Sequence, residues 1–233
     1  MACGNGYASH GKYKGIAPES HIISVKILDK SGQGNSVHAI AGLKWILDNA
    51  RKYNIRVVNL SIGTNDRKPN IPLMDAVNTL WYQGIVVIAA AGNPDGKRNY
   101  LPAPSISPRI ITVGAWEDKF LYQTGTHGNS IFRKDTPSPP DIWAPGENII
   151  SVLSPDYCFD LQNRDTKKVV DEHYIKMSGT SMATPMVSGT AALMLEKYPN
   201  LTSDGLKRKL LYSCRQQVPP DQQGLLNIQA CLA

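Results

Sequence analysis

The sequence lacks long apolar segments. No run of about 18 apolar residues occurs in the 233, so we expect no transmembrane helix and no membrane partner. The opening residues, MACGNGYASHGKYKG, have no apolar core of the kind found in signal peptides. Internal repeats and low-complexity tracts are also missing. The remaining composition, 42% apolar and 19% charged, is ordinary for a globular domain.

Cysteine is scarce and follows no recognisable pattern. Cys3, Cys158, Cys214 and Cys231 form no CxxC pair, no zinc-ligand spacing and no tight disulfide framework. Lone cysteines are typical of reducing compartments, which favours the cytoplasm over secretion. The spacing leaves a Cys214–Cys231 bridge open.

Acidic residues are fewer than basic ones, and the formal net charge is +6. The basic residues fall in scattered pairs, such as Arg51 with Lys52 and Lys97 with Arg98, without interleaved aromatic residues. Scattered pairs are typical of a solvated face, whereas a nucleic-acid surface needs clustered charge and stacking rings. We therefore expect no nucleic acid as a partner.

Apolar periodicity indicates strands that alternate with helices. The β-branched run at 21–28 (HIISVKIL) is typical of a buried strand, and so is the continuous apolar run at 85–91. Helices are expected at 36–53 with Ser36 as N-cap, at 70–83, at 181–198 and at 202–214. Further strands are expected at 56–61, 110–115, 148–152 and 172–177, with a loop over 123–148. This alternation predicts a three-layer, doubly wound α/β domain, a mostly parallel sheet with helices on both faces.

The heptapeptide GTSMATP at 179–185 directly precedes the most apolar predicted helix. A serine there lies at the positive end of the helix dipole, among N–H groups that can stabilise a developing oxyanion. Gly179 permits a tight turn and a close approach by a substrate backbone. The position alone would suit an ordinary N-cap serine equally well. The whole heptapeptide favours a nucleophile at Ser181.

GTSMATP is similar to the nucleophile motif of the subtilase family, and the resemblance extends over nearly the whole chain. Residues 11–29 resemble the segment that follows the family's catalytic histidine, and NLSIG at 59–63 resembles a strand of its substrate cleft. AAAGN at 89–93 resembles its oxyanion-hole segment, and SPRIITVGA at 107–115 and APG at 144–146 also match. The resemblance implies that residues 1–233 are part of a peptidase S8, subtilisin-like catalytic domain. Its substrates would be polypeptides in extended conformation.

The resemblance also implies roles for single residues. The Asn93 side-chain amide and the Ser181 N–H would form the oxyanion hole. It also implies a substrate pocket with two walls, one of Ser61, Ile62 and Gly63 and the other of Ala90, Ala91 and Gly92. Further substrate contacts are implied for Gly179 and Thr180, beside the nucleophile, and for Gly32, which would border the cleft on the acyl side. Taken alone, the Gly-Asn-Pro at 92–94 suits a turn, and the glycines of SGQGN would only shape a loop.

Two members of the family's catalytic triad are missing from the sequence. The triad runs Asp, His, Ser along the chain, with the aspartate in D-[ST]-G and the histidine in H-G-[TS]; neither motif occurs here. His10 is followed by Gly11 and Lys12, and His127 and His173 fall too late. ACGNG at 2–6 resembles the stretch just after the family's histidine. We therefore expect the chain to lack the N-terminal strand and helix that carry the triad Asp and His, and to be inactive by itself.

Three functions fit these observations: a serine endopeptidase completed by residues outside this sequence, a pseudoprotease that binds or regulates on a subtilase scaffold, and a non-functional gene fragment. The intact GTSMATP and AAAGN favour the endopeptidase. The chemistry requires no cofactor; calcium is frequent in the family, but no ligand set is recognisable here. The stretch YIKMSGTSMATPM resembles a branch of bacterial subtilases with cytoplasmic members.

Overall fold

A computed structural model describes residues 1–29, 31–64, 70–93, 101–116, 139–154, 168–216 and 224–233. Strands alternate with helices through the first half of the chain, as predicted. The elements are α1 (Ser36–Tyr53), β1 (Val57–Leu60), α2 (Ile71–Tyr82), β2 (Val86–Ala90), β3 (Ile111–Trp116), β4 (Ile142–Pro145), β5 (Ile149–Val152), β6 (Val169–Asp171), β7 (Tyr174–Met177), α3 (Thr180–Lys197), α4 (Ser203–Gln216) and α5 (Ile228–Leu232).

The main sheet is parallel, with strand order β1-β2-β3-β4. Every residue of β2 is buried, so both of its faces are covered. α1 packs against α2, and α3 packs against all four strands as well as α4 and α5. The doubly wound α/β prediction is therefore confirmed. No helix within the described ranges is both long enough and apolar enough to cross a bilayer.

Local predictions need correction at the N-cap of α1 and at β4. α1 has the predicted bounds, but Asn35 rather than Ser36 is its N-cap, because the Asn35 Oδ1 accepts a hydrogen bond from the His38 N–H at 2.9 Å. β4 lies inside the stretch predicted as a loop, of which residues 123–138 are outside the described ranges. β4 was missed because it has only four residues and ends on Pro145, although Ile142 and Ala144 are buried. The strands predicted at 148–152 and 172–177 are confirmed as β5 and β7, which together with β6 form a separate antiparallel sheet of order β5-β7-β6.

The strand predicted at 21–28 is not formed. The segment is extended, but among the described residues no backbone hydrogen bond holds it in a ladder. Ile22 is 67% exposed and Ile23 42% exposed, whereas Val25 and Ile27 contact α1. A strand needs a neighbour with free backbone groups, and the described chain provides none at this place.

The two buried cysteines of α4 and α5 lie side by side. Cys214 Sγ and Cys231 Sγ are 3.8 Å apart, both side chains are fully buried, and no bridge joins them. The contact with Cys214 raises the pKa of the Cys231 thiol, and burial adds to the rise. The bridge left open by the sequence is thus a close thiol pair in the structure, while Cys158 lies outside the described residues.

A partly buried ion pair joins α4 to the start of β4. Lys207 Nζ donates to Asp141 Oδ2 at 2.9 Å and to the Ile110 carbonyl at 2.6 Å. The same Asp141 oxygen accepts from the Thr112 N–H at 2.9 Å. Lys207 therefore ties together the helix, β3 and β4.

Replacing Lys207 with methionine is expected to lower the free energy of unfolding by about 2 kcal/mol, because Asp141 would keep its charge without a cationic partner. The loss stays below that of a fully buried pair, since the two side chains retain 15% and 28% exposure. For a chain of this size it corresponds to a fall in melting temperature of roughly 4–8 °C, which calorimetry would measure. Arg208→Met removes the same charge from an exposed position of the same helix and serves as the control. Equal effects of the two variants would contradict the role of the pair.

Candidate active site

Close backbone packing sets the start of α3. The Gly179 N–H donates to the Gly146 carbonyl at 2.7 Å. A Cβ at Gly146 would lie 2.5 Å from the Ala115 Cβ, so only glycine fits there. Gly179, the N-cap of α3, has φ 142°, which favours glycine. The nucleophile motif is therefore held against the end of the parallel sheet.

Ser181 lies in the first turn of α3 and is half-buried. Its hydroxyl donates to the Ser61 carbonyl at 3.3 Å, and the Ser61 hydroxyl donates to the Ser181 carbonyl at 3.0 Å. This exchange places the hydroxyl at the carboxyl end of β1. No described residue accepts a hydrogen bond from the Ser181 N–H, as expected in the first turn of a helix. That N–H is free for a ligand.

The Asn93 carboxamide lies at the same helix start. Its Oδ1 accepts from the Thr180 N–H at 2.9 Å and from the Thr180 hydroxyl at 3.1 Å. A Cβ at Gly179 would lie 3.0 Å from Asn93 Nδ2, so the glycine gives the amide its room. Because both contacts from Thr180 use the oxygen, Nδ2 is the group left to donate. The structure therefore brings together Asn93, Gly179, Thr180 and Ser181.

The predicted pocket walls meet on a residue that the sequence did not indicate. A Cβ at Gly63 would lie 2.9 Å from Pro102 Cγ, and one at Gly92 would lie 3.3 Å from the same atom. The Thr64 N–H also donates to the Ala103 carbonyl at 2.9 Å. Pro102 thus lies between the two walls. Nothing in its chemistry or spacing marks it, since only the contact reveals it.

The remaining predicted substrate residues fall into two groups. Ala90 and Ala91 are buried at the end of β2, and the Ala90 carbonyl accepts a hydrogen bond from the Ser105 hydroxyl. Ile62 is half-buried and follows Ser61. The backbone positions of these residues are compatible with the predicted walls of the substrate pocket. Their contact with a substrate stays a prediction.

Gly32 lies in an exposed loop, has φ 74°, and donates its N–H to the Asp29 carbonyl at 3.0 Å. The Ser31 hydroxyl, together with backbone N–H groups, holds the pKa of the Asp29 carboxyl below its usual value. These contacts show how the loop keeps its shape. That Gly32 borders the cleft stays a prediction.

No base reaches the Ser181 hydroxyl within the described chain, where its hydrogen-bond partner is a neutral carbonyl. His10, His21, His38 and His173 are exposed, and none of them forms a hydrogen bond with Ser181; His127 lies outside the described residues. The described residues contain no cluster of three or more His, Cys, Asp or Glu that could hold a metal ion. Calcium therefore stays an expectation, and no chemical step depends on it.

Three features together define the class of subtilisin-like α/β proteins. They are a parallel sheet packed with helices, a serine in the first turn of a buried helix, and a fixed carboxamide beside that serine. Comparisons with known proteins agree. The chain matches the model of the subtilase (peptidase S8) family over residues 1–229. It is 36% identical over 225 residues to serine protease AprX of Bacillus subtilis (strain 168), covering 88% of this chain and 49% of AprX.

Two further relatives support the same assignment. Subtilisin of Bacillus pumilus is 31% identical over 220 residues, which cover 93% of this chain and 69% of that protein. The solved structure of Sphericase superposes with a TM-score of 0.73 at 25% identity, over 91% of this chain and 66% of its own. The chain belongs to the subtilase family. It spans about half the length of AprX.

Proposed function

We propose that this chain contributes the nucleophile and the oxyanion hole of a serine endopeptidase. The observation that carries the proposal is the contact of Thr180 with Asn93 Oδ1, which leaves Asn93 Nδ2 and the Ser181 N–H as free donors at one helix start. Two free donors beside a serine hydroxyl match what an acyl-transfer reaction needs. The family assignment supports the same chemistry.

In the proposed reaction, Ser181 Oγ attacks the carbonyl carbon of the scissile peptide bond while a base takes the hydroxyl proton. The resulting oxyanion accepts hydrogen bonds from the Ser181 N–H and Asn93 Nδ2. The intermediate then expels the amine, which receives the proton, and leaves an acyl group on Ser181. Water, activated by the same base, hydrolyses the ester and regenerates the hydroxyl.

The proposed substrate is a polypeptide in extended conformation. The segment 61–64 directly continues β1, so its backbone can add a substrate strand. The Pro102 ring approaches Gly63 and Gly92 so closely that it fills the space between them. A substrate side chain would therefore enter beside that ring, along the backbone of the two walls.

The base and its orienting carboxylate must come from outside the described residues, because none of the described histidines contacts Ser181. We therefore define the "extended chain" as residues 1–233 with an amino-terminal extension that carries the family's D-[ST]-G and H-G-[TS] motifs. The 233 residues alone are proposed to bind peptide without efficient cleavage. The same missing contact favours the second candidate, a pseudoprotease that only binds.

Fluorophosphonate labelling separates these two candidates. The extended chain is expected to be labelled at Ser181, located by mass spectrometry, because only an activated serine reacts at a useful rate. Ser181→Ala should abolish labelling. Ser36→Ala, which changes a partly exposed serine at the start of α1 instead, should leave it unchanged. An unlabelled, folded extended chain that still binds peptide would establish the pseudoprotease.

We also propose a reducing compartment such as the cytoplasm. The adjacent but unbridged thiols of Cys214 and Cys231 support it, because an oxidising compartment would favour their joining. Thiol titration of protein from its native source tests this. A Cys214–Cys231 disulfide in that material would contradict it.

A further inference from the structure

The ring of Pro102 occupies the space between the two predicted pocket walls. A Cβ at Gly63 would lie 2.9 Å from Pro102 Cγ and 3.2 Å from Pro102 Cβ. A Cβ at Gly92 would lie 3.3 Å from Pro102 Cγ and 3.5 Å from Pro102 Cδ. Carbon atoms pack best at about 3.5–4.0 Å, so a single methyl group added to either glycine would already meet the ring. No side chain can pass between the walls at the depth of that ring.

Backbone hydrogen bonds on either side of Pro102 hold the ring against the first wall. The Ile106 N–H donates to the Pro102 carbonyl at 3.1 Å, which closes a turn, and the Thr64 N–H donates to the Ala103 carbonyl at 2.9 Å. Pro102 and Ala103 are both buried. A proline ring has no rotatable side chain that could swing aside. The position of the ring is therefore set by the backbone alone.

The same turn is tied to the second wall by buried hydroxyl groups. The Ser105 hydroxyl donates to the Ala90 carbonyl at the end of β2. The Thr112 hydroxyl of β3 donates to the Ser105 carbonyl at 2.7 Å. Ser105 is 1% exposed and Thr112 is 3% exposed. Moving the ring away would break these buried hydrogen bonds and leave polar groups unpaired, which is unfavourable.

The filled space lies directly beside the groups proposed to hold the attacked carbonyl. Gly92 precedes Asn93 in the chain, and Ser61 of the first wall exchanges hydrogen bonds with Ser181. We define the acyl-side residue as the substrate residue whose carbonyl carbon Ser181 attacks. Because that carbonyl would sit between Asn93 and Ser181, the side chain of the acyl-side residue is the one that faces the two walls and the ring.

We propose that Pro102 is a specificity-determining residue, which limits the acyl-side side chain to about the size of alanine or serine. A larger side chain would need the volume that the ring occupies, and forcing it into a packed site is unfavourable. Because the acyl-side residue is defined by the attack of Ser181, this inference rests on the proposed endopeptidase function. It narrows the substrate class from extended polypeptides in general to those with a small residue before the scissile bond.

The test measures kcat/KM of the extended chain on chromogenic peptides that differ only in the acyl-side residue, which is alanine, valine, leucine or phenylalanine. One methylene of difference in an apolar pocket changes kcat/KM by about 10–200-fold, so the alanine peptide is expected to exceed the leucine and phenylalanine peptides by about 10²-fold. Valine should fall between them. A leucine or phenylalanine peptide cleaved as fast as the alanine peptide would overturn the proposal.

A graded pair of variants assigns the preference to the ring. Pro102→Ala removes Cγ, the atom nearest to both glycines, and should reduce the preference for alanine over leucine to about tenfold. Pro102→Gly removes the whole side chain and should reverse the preference. The control is Pro108→Gly, which removes a ring from an exposed position of the same segment and should keep the original order. A merely structural role of Pro102 would lower all the rates together and leave the order unchanged, which would contradict the proposal.

Failure of the endopeptidase function would be recognised separately. A folded extended chain that fluorophosphonate does not label would contradict that function, and binding would then decide the role of Pro102. In the extended chain with Ser181→Ala, a peptide that ends in alanine should bind about tenfold more tightly than the same peptide ending in leucine. Adding Pro102→Ala should remove that difference, and this variant also replaces Pro102→Gly if the glycine variant does not fold. Equal binding of the two peptides before Pro102 is changed would overturn the proposal.

Discussion

The 233-residue chain is expected to hydrolyse a peptide amide about 10⁶-fold more slowly, in kcat, than the extended chain. The reason is the hydrogen-bond partner of Ser181 Oγ, which is the carbonyl of Ser61 at 3.3 Å. A carbonyl oxygen cannot take the hydroxyl proton at neutral pH, so we expect the serine to be a weak nucleophile as long as its contacts are those with the described residues. Steady-state kinetics on a chromogenic peptide, with both proteins at equal folded concentration, measure the difference.

The effect of Ser181→Ala should depend on which chain carries it. In the extended chain the substitution should lower kcat by about 10⁶, whereas in the 233-residue chain it should change little, because triad members act as a unit. The remaining rate of both proteins would come from peptide binding and the oxyanion hole. Ser36→Ala, at a partly exposed position, controls for loss of folding. A 233-residue chain within about 10³-fold of the extended chain would show that a base inside residues 1–233 reaches Ser181.

Replacing Asn93 with alanine in the extended chain is expected to lower kcat by about 10²–10³, the range known for removing one oxyanion-hole donor from a subtilisin. KM should change much less, because the donated hydrogen bond forms only as the oxyanion develops. Asn93→Asp should lower kcat further. It keeps an acceptor for Thr180 but turns a carboxylate oxygen towards the developing negative charge.

Substitution of Thr180 tests how firmly the Asn93 carboxamide must be held for catalysis. Thr180→Val removes the 3.1 Å hydroxyl contact with Asn93 Oδ1 and keeps the 2.9 Å contact from the backbone N–H. The amide should remain placed but be held less firmly, so kcat should fall by about tenfold with KM unchanged. Thr180→Ser should restore the rate.

One outcome would contradict the role proposed for Asn93. If Asn93→Ala changes KM rather than kcat, the carboxamide contacts the ground-state substrate and not the oxyanion.

Two segments of similar composition show how far the strands of this fold can be predicted from the sequence. Both 21–28 and 85–91 are rich in β-branched residues. The second forms β2, paired on both sides and fully buried, whereas the first has no ladder among the described residues. Composition reports the preference of a segment for extended backbone and burial. Pairing requires a second backbone, and local sequence carries no information about its presence.

The candidate active site was also predictable from the sequence only in part. The motifs indicated Ser181, Asn93 and Gly179 because nucleophile and donor chemistry demands particular residue types at a helix start. They did not indicate Pro102, because a ring that fills space between two glycines has no chemical signature. They also missed the pair of Lys207 with Asp141, because the two charges are far apart in sequence and meet only where α4 crosses the start of β4.

The sequence by itself determined the doubly wound α/β class, the helix that begins at the nucleophile motif, and the family of the protein. Apolar periodicity and short motifs are local properties, so they can be recognised without knowledge of the tertiary contacts. Only the tertiary structure decided which atom of the Asn93 carboxamide contacts Thr180, which group accepts a hydrogen bond from the Ser181 hydroxyl, and that segment 21–28 forms no ladder with the described residues. Those features depend on distances between segments remote in sequence, and such distances are set by packing.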